Sequence, residues 1–336
     1  MKKGFGVFGV VVLVVTLLVV FCSYSLAQEQ KRLVIKYAHT LPDMEPIAEQ
    51  AKLFAKCVKE KSAGKIEIEV YPAAQLFTAR DVFPAVRKGA VEMAAVVSGT
   101  MQGTIPLMEI FDLPFLFKDF MQVKKAWGGE LGSTLKKELE KNGIKLLAEG
   151  YHSFIDVTNS KHEIKTPKDV SGLKMRTIGP MTADIVKIMG GGPVVLGGDE
   201  AFLAMERKVV DGSFQGFRSV AYRKIYEVQK YITLLRLNYT GVPMVINLAF
   251  WKSLPKDVQS LIEKCAEESE DFVLKATMKE EQDAIKTLKE KGMIIYNPTP
   301  AEMKEFSKAT TPVKEAWIKK HGEVGAKLVQ SVEKLQ

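Results

Sequence analysis

The sequence predicts an α/β chain arranged as two lobes, with one long helix bracing both. Three observations carry that expectation. Strand-like and helix-like patterns alternate along the chain, which argues for parallel sheets with helices packed on them. From Gln28 onward 309 of the 336 residues remain, enough for two units with a core each. Late in the chain, Pro255 to Lys291 holds no Gly and no internal Pro. At about 1.5 Å per residue that helix would run roughly 54 Å, longer than one lobe is wide.

The elements follow in order. Lys2 and Lys3 precede an uncharged apolar stretch, Gly4 to Phe21, and Ser25-Leu26-Ala27 is a small-x-small pattern. This reads as a secretory signal peptide (1–27) cleaved after Ala27. The apolar run approaches spanning length, but no basic stop-transfer cluster follows it. Cys22 suggests a lipid anchor, yet bulky Phe21 stands where a small residue is usual. Leu33 to Tyr37 is a β-rich run, and Ile47, Ala51, Phe54 and Val58 then recur at helical spacing. Gly64 ends that helix. Ile66-Glu67-Ile68-Glu69-Val70 alternates strictly, as a half-solvated strand does. A helix over about 80–88, a buried strand over 92–97, a helix over about 130–142 and a strand over 144–148 complete the first unit. Between them, Pro114 makes Asp112-Leu113-Pro114-Phe115 a dense apolar turn, read as a core plug. A second unit begins near Tyr151.

Charge and cysteines narrow the class. The formal charge of +8 falls to about +6 without the N-terminal segment. The lysines are interleaved with glutamates, as in Lys59-Glu60-Lys61, which reads as solvated helix faces and not as a nucleic-acid surface. A mild positive field would still steer an anionic solute. Cys57 and Cys265 each sit at an apolar-periodic helix position, which reads as buried free thiols, although an oxidising compartment permits a disulfide.

The enzyme signatures fail. Gly190-Gly191-Gly192-Pro193 follows a helical pattern and precedes a strand, the reverse of a dinucleotide fingerprint. There is no phosphate loop, no His-Glu-x-x-His and no G-x-S-x-G elbow. Histidines 39, 152, 162 and 321 are too scattered to suggest a metal site. No cofactor and no catalysis are expected.

The densest information lies between Ser171 and Trp251. Gly172-Leu173-Lys174-Met175-Arg176 places an arginine at a strand end, and Asp199-Glu200-Ala201-Phe202, Val210-Asp211-Gly212, Tyr226-Glu227-Val228-Gln229-Lys230-Tyr231 and Val245-Ile246-Asn247 follow. Upstream stand Tyr37-Ala38-His39, Gly64-Lys65-Ile66-Glu67-Ile68 and Tyr71-Pro72 with Gln75-Leu76. In this order, from Leu33 to His321, the chain resembles the DctP-type substrate-binding proteins of TRAP (tripartite ATP-independent periplasmic) transporters.

The resemblance implies a two-lobed periplasmic binding protein (a Venus flytrap) that traps solute between its lobes. One lobe would comprise 28–150 plus 242–275, the other 151–241 plus 276–336. The protein would work in the periplasm, deliver its solute to the TRAP permease subunits, and touch the membrane only through them. The same fold would also serve a sensor subunit that presents its liganded form to a signalling receptor.

The resemblance assigns Arg176 to the solute's carboxylate, which its planar fork of donors matches. Gln215 stands where relatives carry a solute-contacting asparagine, and keeps an amide donor and acceptor. Ser98, His39 and Tyr239 sit where first-lobe and crossover contacts arise in relatives. The chain also departs from the pattern. Ile155 replaces a second arginine, leaving His152 as a substitute cation at low pH and Arg218 and Arg236 as spare cations nearby. Phe214 replaces a glutamate, removing a metal ligand and adding an apolar wall. Gly198 replaces an aromatic and leaves space. Arg176 as lone anchor in a roomy apolar site predicts an organic acid with one carboxylate and a bulky apolar or aromatic body.

Overall fold

The computed structural model describes residues 32–335. The expected signal peptide, its cleavage after Ala27, and Cys22 lie outside the described residues. Strands β1 (Leu33–His39), β2 (Ile66–Tyr71), β3 (Met93–Ala95) and β4 (Ile144–Ala148) come first in the chain. There follow β5 (Tyr151–Phe154), β6 (Asp156–Asn159), β7 (Lys174–Thr177), β8 (Gly192–Val195) and β9 (Gly212–Gln215). The last four are β10 (Tyr231–Thr233), β11 (Tyr239–Gly241), β12 (Met244–Asn247) and β13 (Ile294–Tyr296).

Each lobe is built on one sheet. The first has the order β2-β1-β3-β12-β4, the second β13-β10-β6-β9-β7-β8, and a two-stranded ribbon, β11-β5, joins them. The sheets are mixed, not parallel throughout. β1–β2, β1–β3, β7–β8 and β7–β9 run parallel, whereas β12 and β6 are antiparallel to their neighbours. The reason is topological. β6 and β12 are the strands by which the chain leaves one lobe and returns to the other, and a returning strand enters its sheet against the local direction.

The long helix runs from Lys256 to Glu290, within one residue of the span expected from the absence of Gly and Pro. It packs on helix Pro46–Lys61 and β4 of the first lobe and on helix Phe217–Tyr222 of the second, so it braces both. The C-terminal helix Pro300–Glu333 breaks at Gly322, whose φ of +58° suits glycine. Beyond the break the chain turns back, bringing Glu333 within 3.1 Å of Lys314.

Cys57 and Cys265 are joined, with Cα atoms 5.7 Å apart. This corrects the reading of two free thiols. The helical spacing does bury Cys265 fully, but helices Pro46–Lys61 and Lys256–Glu290 lie face to face and bring both sulfurs to one seam. Helical periodicity tells which residues are buried, not which face each other.

Candidate ligand-binding site

Between the lobes lies a cavity of about 280 Å³. Period-two alternation decides which side chains reach it. On β7, Met175 points into the core and Arg176 into the cavity; on β9, Phe214 points into the core and Gln215 into the cavity. Arg176 is 4 % exposed, and its Nε donates to the Leu196 carbonyl at 3.0 Å. That bond fixes the side chain across β8 and leaves the two terminal nitrogens for a ligand. Burial, and secondarily the Arg223 charge, push the Arg176 guanidinium down to about 9, so it stays charged at neutral pH. Gln215 Nε2 donates weakly to Thr158 Oγ1 at 3.4 Å.

The first lobe contributes Thr40, Leu41, Ala79, Val97 and the turn around Gly99. The lobes touch across the cavity. Ala79 N donates to Asp199 Oδ2 at 3.3 Å, and Arg223 Nη2 donates to the Thr40 carbonyl at 3.4 Å. Gly99 and Gly179 make this approach feasible: a Cβ on Gly99 would fall 2.6 Å from Ile178 Cγ2, and one on Gly179 would fall 2.6 Å from the Gly99 oxygen.

His152 also lines the cavity, but its Nε2 lies 2.9 Å from Glu45 Oε2 and 3.4 Å from Ser219 Oγ. Its Nε2 is therefore committed inside the protein. Burial works against an ionised Glu45, yet the His152 hydrogen bond and the charges of His152, Arg223 and Arg218 outweigh it and hold the carboxyl below its ordinary range.

Of the residues singled out from the sequence, Arg176, Gln215, Gly198 and His152 come together at the cavity, and Phe214, Ser98, His39 and Tyr239 do not. Phe214 is fully buried in the core, so the apolar wall expected there is absent. Tyr239 is fully buried, donates to Glu149 Oε1 at 2.9 Å, and packs among Phe111, Phe117, Phe120 and Phe154. In each case a chain neighbour reaches the cavity instead: Thr240 for Tyr239, Thr40 for His39, Gly99 for Ser98. The spare cations do not line the cavity. Arg218 donates to the Thr277 carbonyl at 3.2 Å, and Arg236 pairs with Glu281 at 3.0 Å.

His39 carries a testable consequence. Burial, with a smaller contribution from Lys52, pushes its imidazole down to about 4 against the opposing fields of Asp43 and Glu45. The folded state thus keeps His39 neutral while the unfolded chain protonates it near pH 6.5. Stability that this residue supplies above pH 6.5 is lost as pH falls toward 4. Relative to His39→Leu, the wild type should lose about 1–3 kcal/mol over that window in chemical denaturation; parallel pH profiles for the two would contradict it.

Two residues escaped the sequence reading. Arg223 lines the cavity, and its guanidinium lies against Gly198, where an added Cβ would meet Nη2 at 3.2 Å and Cζ at 3.3 Å. The space expected at Gly198 is therefore filled by Arg223. Arg80, an exposed residue, stands at the cavity rim. Arg176 is not a lone cation. No group of three or more His, Cys, Asp or Glu among the described residues is placed to hold a metal, and no helix among them is long and apolar enough to cross a membrane.

Two α/β lobes meeting over a central cavity, joined by crossing strands and a bracing helix, define a two-lobed solute-binding protein. Comparison with known proteins agrees. The family described as bacterial extracellular solute-binding protein, family 7 (DctP) matches residues 37–320, and the chain belongs to that family, the solute-binding subunits of TRAP transporters. It is 31 % identical over 321 residues to the 2,3-diketo-L-gulonate-binding periplasmic protein YiaO of Escherichia coli, covering 95 % of this chain and 96 % of that one. It is 30 % identical over 304 residues to the C4-dicarboxylate-binding periplasmic protein DctP of Rhodobacter capsulatus, covering 89 % and 90 %. A TRAP periplasmic solute-binding protein from Sulfurospirillum deleyianum, solved with bound succinate, superposes with a TM-score of 0.86 at 27 % identity, covering 91 % of this chain and all of that one.

Proposed function

We propose that this protein captures an organic acid in the periplasm, after loss of a signal peptide ending at Ala27, and delivers it to TRAP permease subunits. The observation that carries the reading is the charge of the cavity. Among the described residues Arg80, Arg176 and Arg223 line it, and no Asp or Glu does. A buried guanidinium without a carboxylate partner is costly, and an anionic ligand relieves that cost. The relatives named for 2,3-diketo-L-gulonate and C4-dicarboxylates support the same class of ligand.

In the proposed cycle the open lobes admit the acid, its carboxylate seats on Arg176, and Gln215 orients it. Contacts to both lobes then favour the closed form, which the permease recognises. The ligand shifts this equilibrium only by its differential affinity for the two forms. Leu41, Ile155, Ile178, Val195 and Leu196 wall the remaining space. They favour the reading of a monocarboxylate with an apolar body, which draws no support from Phe214 or Gly198.

A thermal-shift screen tests the proposal. An acid at a hundred times its Kd should stabilise the protein by about 2.7 kcal/mol, or roughly 4 °C at this chain length. The neutral amide of the same acid should not. Equal stabilisation by amide and acid would overturn the reading.

A further inference from the structure

We infer that the joint between the lobes is a proton-loaded clamp: Asp112, Glu149 and Asp156 grip the crossing segment 236–239, and their protonation favours the closed lobes while their ionisation loosens them. The device belongs to the scaffold and not to the cavity, so it holds whichever acid the protein captures.

The geometry begins at a motif that the cavity does not use. The turn Asp112-Leu113-Pro114-Phe115 is bonded to the segment that leads from β10 into β11: Phe115 N donates to the Leu237 carbonyl at 2.6 Å, and Asn238 Nδ2 donates to Asp112 Oδ1 at 2.8 Å. Phe115 holds a φ of +56° there, a conformation that costs a residue with a side chain and persists only where its surroundings fix it. Two more carboxyls hold the same stretch. Arg236 N donates to Asp156 Oδ1 at 3.0 Å, and the Tyr239 hydroxyl donates to Glu149 Oε1 at 2.9 Å. Positions 236, 238 and 239 are thus each bonded to a buried carboxyl. The same crossing segments carry His152, Ile155 and Thr240 to the cavity, so a bend in the clamp moves the cavity wall.

The surroundings of the three carboxyls favour their neutral forms. Asp112 faces the amides of Gln102 and Asn238. The charge it feels from its own short helix, Pro106–Asp112, is that of Glu109, which pairs with Lys320 at 3.0 Å and lies 3.8 Å from His321. Burial pushes Asp112 up to about 7 against the two amide bonds. Gln102 Oε1 and Asn238 Oδ1 are buried without a hydrogen-bond partner, so either amide, turned over, accepts from a protonated Asp112. Burial, with Glu270 of the long helix adding repulsion, holds Glu149 well above the carboxylate range against the Tyr239 bond. Glu270 itself accepts from Glu149 N and the Tyr151 hydroxyl, with Lys124 and Lys136 offsetting part of its charge. Burial pushes Asp156 up to about 7 against the Arg236 backbone bond and charge, because the Arg236 guanidinium is paired with Glu281 at 3.0 Å. In the closed clamp Asp112 and Asp156 keep their protons to near pH 7, whereas in a bent, hydrated clamp an aspartate ionises near pH 4. The proton-linked preference for closure is therefore complete below about pH 4 and is lost as pH rises through about 7.

Amide hydrogen exchange on the ligand-free protein tests the clamp, at about pH 5.5 and about pH 8 and corrected for the intrinsic pH dependence of exchange. The amides to follow are Phe115, Ile155 and Leu237, whose N–H groups donate to the carbonyls of Leu237, Asn238 and Ile155. One carboxyl that moves from about 4 to about 7 changes the closed-to-open ratio by about thirtyfold over this interval, so protection at these amides should fall by about tenfold or more at the higher pH. Amides of β2, at the edge of the first sheet, should not follow. Asp112→Asn, Glu149→Gln and Asp156→Asn each keep the shape of the neutral carboxyl and remove its titration. Each single variant should flatten part of the pH profile, and the triple variant all of it. Small-angle scattering gives the lobe-level readout: the radius of gyration of wild type should rise from the lower to the higher pH, and that of the triple variant should not. The inference is overturned if protection at the three amides is the same at both pH values, if no single variant flattens the profile, if β2 loses protection to the same extent, the mark of a global loss of stability, or if the radius of wild type is unchanged.

Discussion

Replacing Arg176 by alanine should abolish useful capture of the acid while leaving the unliganded protein at least as stable as wild type. The two halves of that outcome share one cause. Arg176 is 4 % exposed, holds one backbone bond, and keeps its charge at neutral pH although burial pushes it down to about 9. Truncating one partner of a buried charge pair costs about 2–5 kcal/mol, or roughly 30- to several-thousand-fold in Kd. Without ligand, the same guanidinium is a desolvated charge with no ion-pair partner among the described residues and only the fields of Asp199 and Glu200 to offset it, so its removal should leave stability unchanged or raise it by about 1 kcal/mol. Arg176→Lys should recover part of the affinity, because it restores charge without the planar fork. Binding by wild type should also weaken as pH rises through about 9, where the folded-state guanidinium loses its proton. Calorimetry with thermal melts reads both halves; unchanged affinity, or a melt lowered in step with affinity, would contradict the assignment.

The second large effect concerns the disulfide. Cys57 and Cys265 are separated by 208 positions in sequence, and a cross-link that long restricts the unfolded chain severely. The chain-entropy model gives about 5 kcal/mol for such a loop, and measured losses on removing a native disulfide run about 2–5 kcal/mol. Cys57→Ser is the cleaner probe, because Cys57 is only half-buried whereas Cys265 is fully enclosed. It should lower Tm by roughly 3–8 °C. Reductant should lower the wild type to the same point and leave the variant where it is. Coincident melts, or two titratable thiols in native protein, would contradict the bond. The bond also ties the bracing helix to the first lobe.

The fold was largely legible because its signals are local. Alternation at Ile66 to Val70 becomes β2, and the uninterrupted run after Pro255 becomes the long helix. Strand direction was less legible, since β6 and β12 run antiparallel through the path of the crossing segments, which no local pattern encodes. In the site, the sequence pointed to the right segments and often to the wrong neighbour. At 239–240 and 39–40 the large residue looked functional, yet it packs inward and the smaller threonine reaches the cavity. Large side chains stabilise a core by the area they bury; an opening needs small ones. Arg223 gave no signal at all. It stands in the polar run Tyr222-Arg223-Lys224, and only the fold shows that the gap at Gly198 is its seat.

The central claim is that the lobes enclose an acid whose carboxylate rests on Arg176. A crystal structure grown with the most stabilising acid from the screen tests it most directly. The carboxylate is expected about 2.7–3.0 Å from the terminal nitrogens of Arg176, with Ala79 still bonded to Asp199 across the closed cleft. An acid found in the cavity with its carboxylate turned away from Arg176, or bound outside the cavity, would contradict the account.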